Sequence, residues 1–161
     1  MPGGTSIRTI EGTPIATGLR IAIVVSKYHD FVTDRLQTGA LAALAAAGVV
    51  DGNITVIRVP GAFEIPAAAH HAAAGAQFDA VVSLGCLIRG GTPHFEYISS
   101  AVAHGLTAAA VATGVPISFG VLTTNSVEEA LERAGEGKNN KGWEAATAAL
   151  EMATVVARLR A

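Results

Sequence analysis

Charge is scarce in this chain. Asp, Glu, Lys and Arg make up only 15% of its 161 residues, and hydrophobic residues make up 50%. An ordinary soluble domain is about 25% charged. A small domain has much surface for its volume, and so few charges cannot cover it. Such a chain exposes apolar patches or buries them against copies of itself, which favours a homo-oligomer. The net charge of −2 gives no field that would draw nucleic acid or an anionic membrane. A lone cysteine, Cys86, excludes an intramolecular disulfide and suits a reducing compartment. Met1-Pro2-Gly3-Gly4 has no basic segment leading into an apolar run, so no secretory signal is expected. No apolar stretch reaches the roughly 18–20 residues that span a bilayer. A soluble, cytoplasmic protein is the expectation. The sequence also lacks a G-x-G-x-x-G fingerprint, a G-K-[ST] phosphate loop, paired cysteines and an H-x-x-x-H pair. These absences disfavour a dinucleotide, a nucleoside triphosphate and zinc.

What is present is an alternation of strand and helix patterns. Arg20–Ser26 is a β-branched run that reads as a buried strand. Phe31–Ala47 has helical spacing at Val32, Leu36, Ala40 and Leu44, and Gly48 stops it. Ile54–Val59 reads as a strand and Ile65–Ala74 as a helix opened by Pro66. Ala80–Leu84 is a third strand, Phe95–Ala112 a long helix, and Val115–Phe119 a fourth strand. Ser126 and Glu129 form a capping box that opens a short helix ending at Gly135. Glu136–Lys141 reads as a polar loop. Trp143–Leu159 is a last helix with a stripe at Trp143, Ala146, Leu150 and Ala153. Repeated β-α units predict one α/β domain over residues 20–161. Its parallel sheet carries helices on both faces, with right-handed crossovers. Residues 1–19 form an arm that either adds a strand to a neighbour or stays loose.

Ligands of such folds sit beyond the carboxyl ends of the strands. The segments to inspect are therefore 27–30, 60–64, 85–94 and 120–125. In the third, Gly90 and Gly91 let backbone approach a ligand. Thr92 reads as an N-cap and Pro93 as the first helical residue. Free N–H groups at that helix start would suit an anion, above all a phosphate; a capped turn without a ligand explains the pattern as well. His94 falls in the first turn, where the dipole disfavours a positive charge. A neutral imidazole there could take and return a proton. Phe63 can wall a flat ring. Glu64 can accept from hydroxyls, although a carboxylate at a helix start is also a plain dipole partner. Arg133 and Lys141 bracket the polar loop. Arg133 suits bidentate phosphate capture, and the helix dipole accounts for it equally. His29, after the first strand, could line the site.

Four stretches in order, VPGAFEIP (59–66), GCLIRGGTPHFEYI (85–98), FGVLTTNS (119–126) and ERAG with NKG (132–135, 140–142), resemble the lumazine synthase family. The likeness runs from about Arg20 to the end. It implies a flavodoxin-like, three-layer α/β/α fold on a four-stranded parallel sheet. It implies condensation of 5-amino-6-(D-ribitylamino)uracil with 3,4-dihydroxy-2-butanone 4-phosphate, without cofactor or metal. By this resemblance Tyr28 stacks on the pyrimidine, and Ala62, Phe63 and Glu64 hold it, with Glu64 facing the ribityl chain. Cys86, Leu87 and Ile88 line the same pocket, largely through backbone. Gly91 and Thr92 cradle the phosphate with help from Arg133, and His94 transfers protons. Phe119 closes the pocket from a neighbouring subunit, and Lys141 contributes at its edge. The implied assembly is a homopentamer, alone or in a sixty-subunit shell, with riboflavin synthase as an associate. Two departures stand out: His29 replaces a common Asn, and the loop Glu136–Asn140 (EGKNN) differs from the usual KAGN type.

Overall fold

A computed structural model describes residue 4 and residues 6–161. The reading of Met1–Gly3 against a secretory signal lies outside the described residues. The elements run β1 (Ile21–Ser26), α1 (Asp30–Ala46), β2 (Ile54–Val59), α2 (Ile65–Ala74), β3 (Ala80–Ile88), α3 (His94–Thr113), β4 (Ile117–Thr124), α4 (Val127–Arg133) and α5 (Lys141–Arg160). Three short 3-10 turns occupy 51–53, 62–64 and 137–139.

The four strands pair in parallel in the order β2-β1-β3-β4. Every residue of β1 is buried, as an inner strand covered on both faces requires. Alternate side chains divide between two cores. Ile21, Ile23 and Val25 of β1 join Val82, Leu84 and Cys86 of β3 beneath α1 and α5. Ala22 and Val24 join Val81 and Val121 beneath α2 and α3. The three expected layers are thus in place.

Two strands are longer than their sequence suggests. β3 continues through Gly85, Cys86 and Leu87 to Ile88, and β4 covers Ile117–Thr124 rather than Val115–Phe119. Their ladder pairs Gly85 with Val121 and Ile88 with Thr124. Both glycines inside it have packing reasons. A Cβ on Gly85 would come within 2.8 Å of Ile65 Cδ1, and one on Gly120 within 2.7 Å of Leu84 Cδ2 and 2.9 Å of Ala145 Cβ. They let helices approach the sheet.

Three helix starts also differ from expectation. Pro93, not Thr92, occupies the N-cap of α3, and no side chain caps it. The first helical bond runs from Tyr97 N–H to the Pro93 carbonyl, which makes His94 the first helical residue. Ser126 caps α4 by accepting from Glu129 N–H at 3.2 Å, but Glu129 reaches back to Asn125 N–H (2.8 Å) rather than to its cap. α5 begins two residues before Trp143 because Asn140 caps it, accepting from Gly142 N–H (2.7 Å) and Trp143 N–H (3.2 Å). The amide of Asn140 donates to the carbonyls of Arg35 and Gly135. This side chain, 3% exposed, therefore ties α1, the end of α4 and α5 together.

Part of the N-terminal stretch packs on its own chain. Thr13 N–H donates to Thr154 Oγ1 at 2.8 Å, Ala16 N–H donates to the Ala47 carbonyl at 3.1 Å, and Ala16 is buried. Among the described residues before Arg20 there is no strand. No helix among the described residues is long and apolar enough to cross a membrane.

Candidate active site

A cavity of about 840 Å³ opens at the carboxyl ends of β1, β2 and β3, the end where parallel sheets place ligands. Its size falls within the roughly 300–1,000 Å³ of small-molecule sites. Tyr28, Ala62, Phe63, Glu64, Cys86, Leu87, Ile88, Thr92 and His94 all line it. These come from four separate stretches of chain, so the fold has assembled them.

Each wall has a local cause. Tyr28 N–H donates to the Pro60 carbonyl at 3.1 Å, which joins the loop after β1 to the loop after β2. His29 takes the left-handed region (φ 61°, ψ 47°), uncommon for a residue with a Cβ. That conformation turns the chain into α1, and the His29 carbonyl accepts from Val32 and Thr33. The His29 ring lies 4.4 Å from the Tyr28 ring and 5.8 Å from that of Phe31. Burial lowers its pKa below the ordinary histidine value. Gly61 N–H donates to Glu64 Oε2 at 3.1 Å, while Glu64 N–H donates to the Gly61 carbonyl. One carboxylate oxygen of Glu64 thus holds its own turn and the other is available to a ligand.

Cys86 sits in the buried run of β3, and desolvation raises its thiol pKa to about 11. At neutral pH it is a neutral wall and a poor nucleophile. A chromogenic disulfide reagent at pH 8 should leave Cys86 unlabelled in the native protein and label it fully in denaturant. Rapid native labelling would contradict this burial. The unfolded thiol ionises near the ordinary 9.0 while the folded thiol holds its proton to about 11. Its contribution to stability is complete below that window and declines as pH rises through it.

The end of the cavity where a phosphate was expected differs in detail from that expectation. Gly90 lines the cavity and Gly91 does not, although Thr92 and His94 do. A Cβ on either glycine would meet nothing within 4 Å, so their lack of side chains leaves open space above the loop. His94 is exposed at the first position of α3.

Phe119, Arg133 and Lys141 lie elsewhere. They line a second hollow, of about 380 Å³, along β4 with Glu144 and Ala145. β4 is one of the two edge strands. Arg133 Nη1 donates to the Glu129 carbonyl of its own helix at 3.1 Å, and Lys141 Nζ pairs with Glu144 Oε2 at 2.7 Å. Phe119 is 51% exposed, a large apolar area to leave in water. One chain therefore carries the expected residues in two separate places.

Sequence reasoning gave no ligand-binding role to Pro60, Gly61, Phe95, Ile98 or Val127, all in the wall of the main cavity. Pro60, Gly61, Phe95 and Ile98 fall inside the motifs already noted, so their position was a usable signal. Val127 was readable only from the fold. Among the described residues no three of His, Cys, Asp or Glu stand together as a metal would require.

A family model described as 6,7-dimethyl-8-ribityllumazine synthase matches residues 18–157. The 6,7-dimethyl-8-ribityllumazine synthase of Syntrophus aciditrophicus (strain SB) is 50% identical over 149 residues, covering 92% of this chain and 97% of that protein.

Proposed function

The chain belongs to the 6,7-dimethyl-8-ribityllumazine synthase family, and from that premise we propose how its residues divide the work. The enzyme is a transferase acting on two small molecules in the penultimate step of riboflavin biosynthesis. The 5-amino group of 5-amino-6-(D-ribitylamino)uracil attacks the ketone of 3,4-dihydroxy-2-butanone 4-phosphate, and loss of water leaves an imine. Removal of the adjacent C–H proton breaks the C–O bond to phosphate, which departs. The resulting enol becomes a ketone. The ribityl-bearing nitrogen closes on it, and a second water leaves.

These steps move protons several times and need no strong nucleophile. The observation that carries the assignment is the shared cavity, where Phe63, Glu64 and Cys86–Ile88 stand beside Thr92 and His94. Tyr28 and Phe63 flank the pyrimidine ring, backed by Ala62. Glu64 accepts from ribityl hydroxyls, and the backbone of Cys86, Leu87 and Ile88 reads the ring edge. The loop Gly90-Gly91-Thr92 and the uncapped amides of α3 take the phosphate. His94, next to them, shuttles the protons. Holding two reactants in one cavity supplies the rest of the acceleration.

Phe119, Arg133 and Lys141 serve the cavity of a neighbouring copy. Each chain presents its edge strand β4 to the open cavity of the next, and repetition of that contact closes a ring, which we take to be a pentamer. Residues 1–19 act as an arm to the domain of 20–161.

Mixing the two substrates with the protein should produce lumazine absorbance and inorganic phosphate in equal amounts. Phosphate release without lumazine would refute the reaction. His94→Ala should slow turnover by about 10²-fold and leave measurable activity, because general acid–base help is only part of the acceleration. Unchanged kcat would remove His94 from the proton path.

A further inference from the structure

The loop Gly90–Thr92 and the first turn of α3 have no side-chain cap, so another group must hold their course. Arg89 stands where that loop leaves β3. Its backbone N–H donates to the Thr124 carbonyl at 2.8 Å, adding a rung beyond the last pair of the β3–β4 ladder. Its Nε donates to Asn125 Oδ1 at 3.1 Å. Its Nη1 pairs with Glu96 Oε1 in the first turn of α3. Its guanidinium carbon lies 4.4 Å from the centroid of the Phe95 ring. Ile88, Gly90, Thr92, His94 and Phe95 line the cavity, and Arg89 is not among the lining residues.

We propose that Arg89 is a positioning residue for phosphate capture, clamping the Gly90–Thr92 loop between the end of β4 and the start of α3 without itself touching substrate. This rests on reading that loop as the phosphate pocket. A single exposed ion pair holds little. Here one planar fork meets an amide oxygen, a carboxylate and an aromatic face at once, a combination that lysine cannot reproduce. The clamp has an electrostatic side too. Glu96 suits the helix dipole, but its charge would repel a phosphate arriving at the same helix end. Its own backbone amide, and after it Arg89, hold its carboxyl below the usual carboxylate range. Arg89 supplies the compensating positive charge.

The test uses the full chain as Arg89→Ala, Arg89→Lys and Asn125→Ala, with inorganic phosphate as a competitive probe. Arg89→Ala should raise both the KM for the butanone phosphate and the inhibition constant for inorganic phosphate about tenfold. The KM for the pyrimidine should stay unchanged and kcat should fall less. Arg89→Lys should recover only part of the loss. Asn125→Ala should reproduce part of it, and the double variant should be no worse than Arg89→Ala alone, because both act through one contact.

An unchanged phosphate inhibition constant in Arg89→Ala would overturn the clamp. So would effects of Arg89→Ala and Asn125→Ala that multiply, which would mean that Arg89 grips phosphate directly. If Arg89→Ala fails to fold, Arg89→Lys and Asn125→Ala carry the same comparison. Failure of inorganic phosphate to compete in the wild-type enzyme would instead refute the phosphate pocket itself, a result separable from failure of the clamp.

Discussion

Arg133→Ala should lower kcat/KM by about 10²–10³-fold, mostly through the KM for the butanone phosphate. Removing one partner of a desolvated charge pair costs roughly 2–5 kcal/mol, and each 1.4 kcal/mol is about tenfold. Equal Michaelis constants in variant and wild type would refute the role. The position of Arg133 makes a sharper experiment available. It lines the hollow beside β4 with Phe119 and Lys141, whereas His94 lines the main cavity. If the two meet only across a subunit contact, mixed oligomers of Arg133→Ala and His94→Ala regain complete sites. In an evenly mixed closed ring about one site in four would hold both native groups. Activity of the mixture near a quarter of wild type is therefore expected after dissociation and reassembly. A mixture no better than its components would place Arg133 and His94 in the same chain's site or in none.

Gly142→Ala should have the largest effect on stability. A Cβ at Gly142 would lie 1.9 Å from the Leu36 carbonyl oxygen and 2.9 Å from Asn140 Oδ1. Neither can yield easily, since one belongs to the α1 backbone and the other to a side chain held by four hydrogen bonds. α5 would have to lift from α1 and from the core that both cover. Overpacking typically costs about 1–3 kcal/mol, and more where fixed backbone is struck as here, a large share of the roughly 5–15 kcal/mol that holds a domain folded. The variant should be insoluble or should unfold at a clearly lower denaturant midpoint. Gly52→Ala provides the contrast: a Cβ there meets nothing within 4 Å, and its midpoint should stay close to wild type. A Gly142→Ala protein as stable as Gly52→Ala would show that the α1–α5 contact is looser than described.

The layered fold was legible because the helices and inner strands obey simple periodicity. Ile54–Val59 and Ile65–Ala74 stand where their patterns put them, and α1 differs by one residue at each end. The errors cluster where packing overrides local preference. Gly85 and Gly120 look like loop residues, and only the nearness of Ile65, Leu84 and Ala145 explains glycines inside strands. Asn140 reads as loop until its four hydrogen bonds are seen. Residues for the main cavity were legible from their motifs. The family resemblance already put Phe119 in a neighbouring subunit; the matching separation of Arg133 was not legible, because nothing in the order of residues along one chain records which side of the sheet edge it will face.

That separation bears on inheritance as well as on chemistry. On the proposed arrangement each polypeptide takes part in two reaction centres, one through His94 and one through Arg133. A chain damaged at both residues that still enters the ring would silence two centres. A defective gene copy expressed beside a sound one should therefore cut output by more than its share of the protein, and so act as a dominant allele.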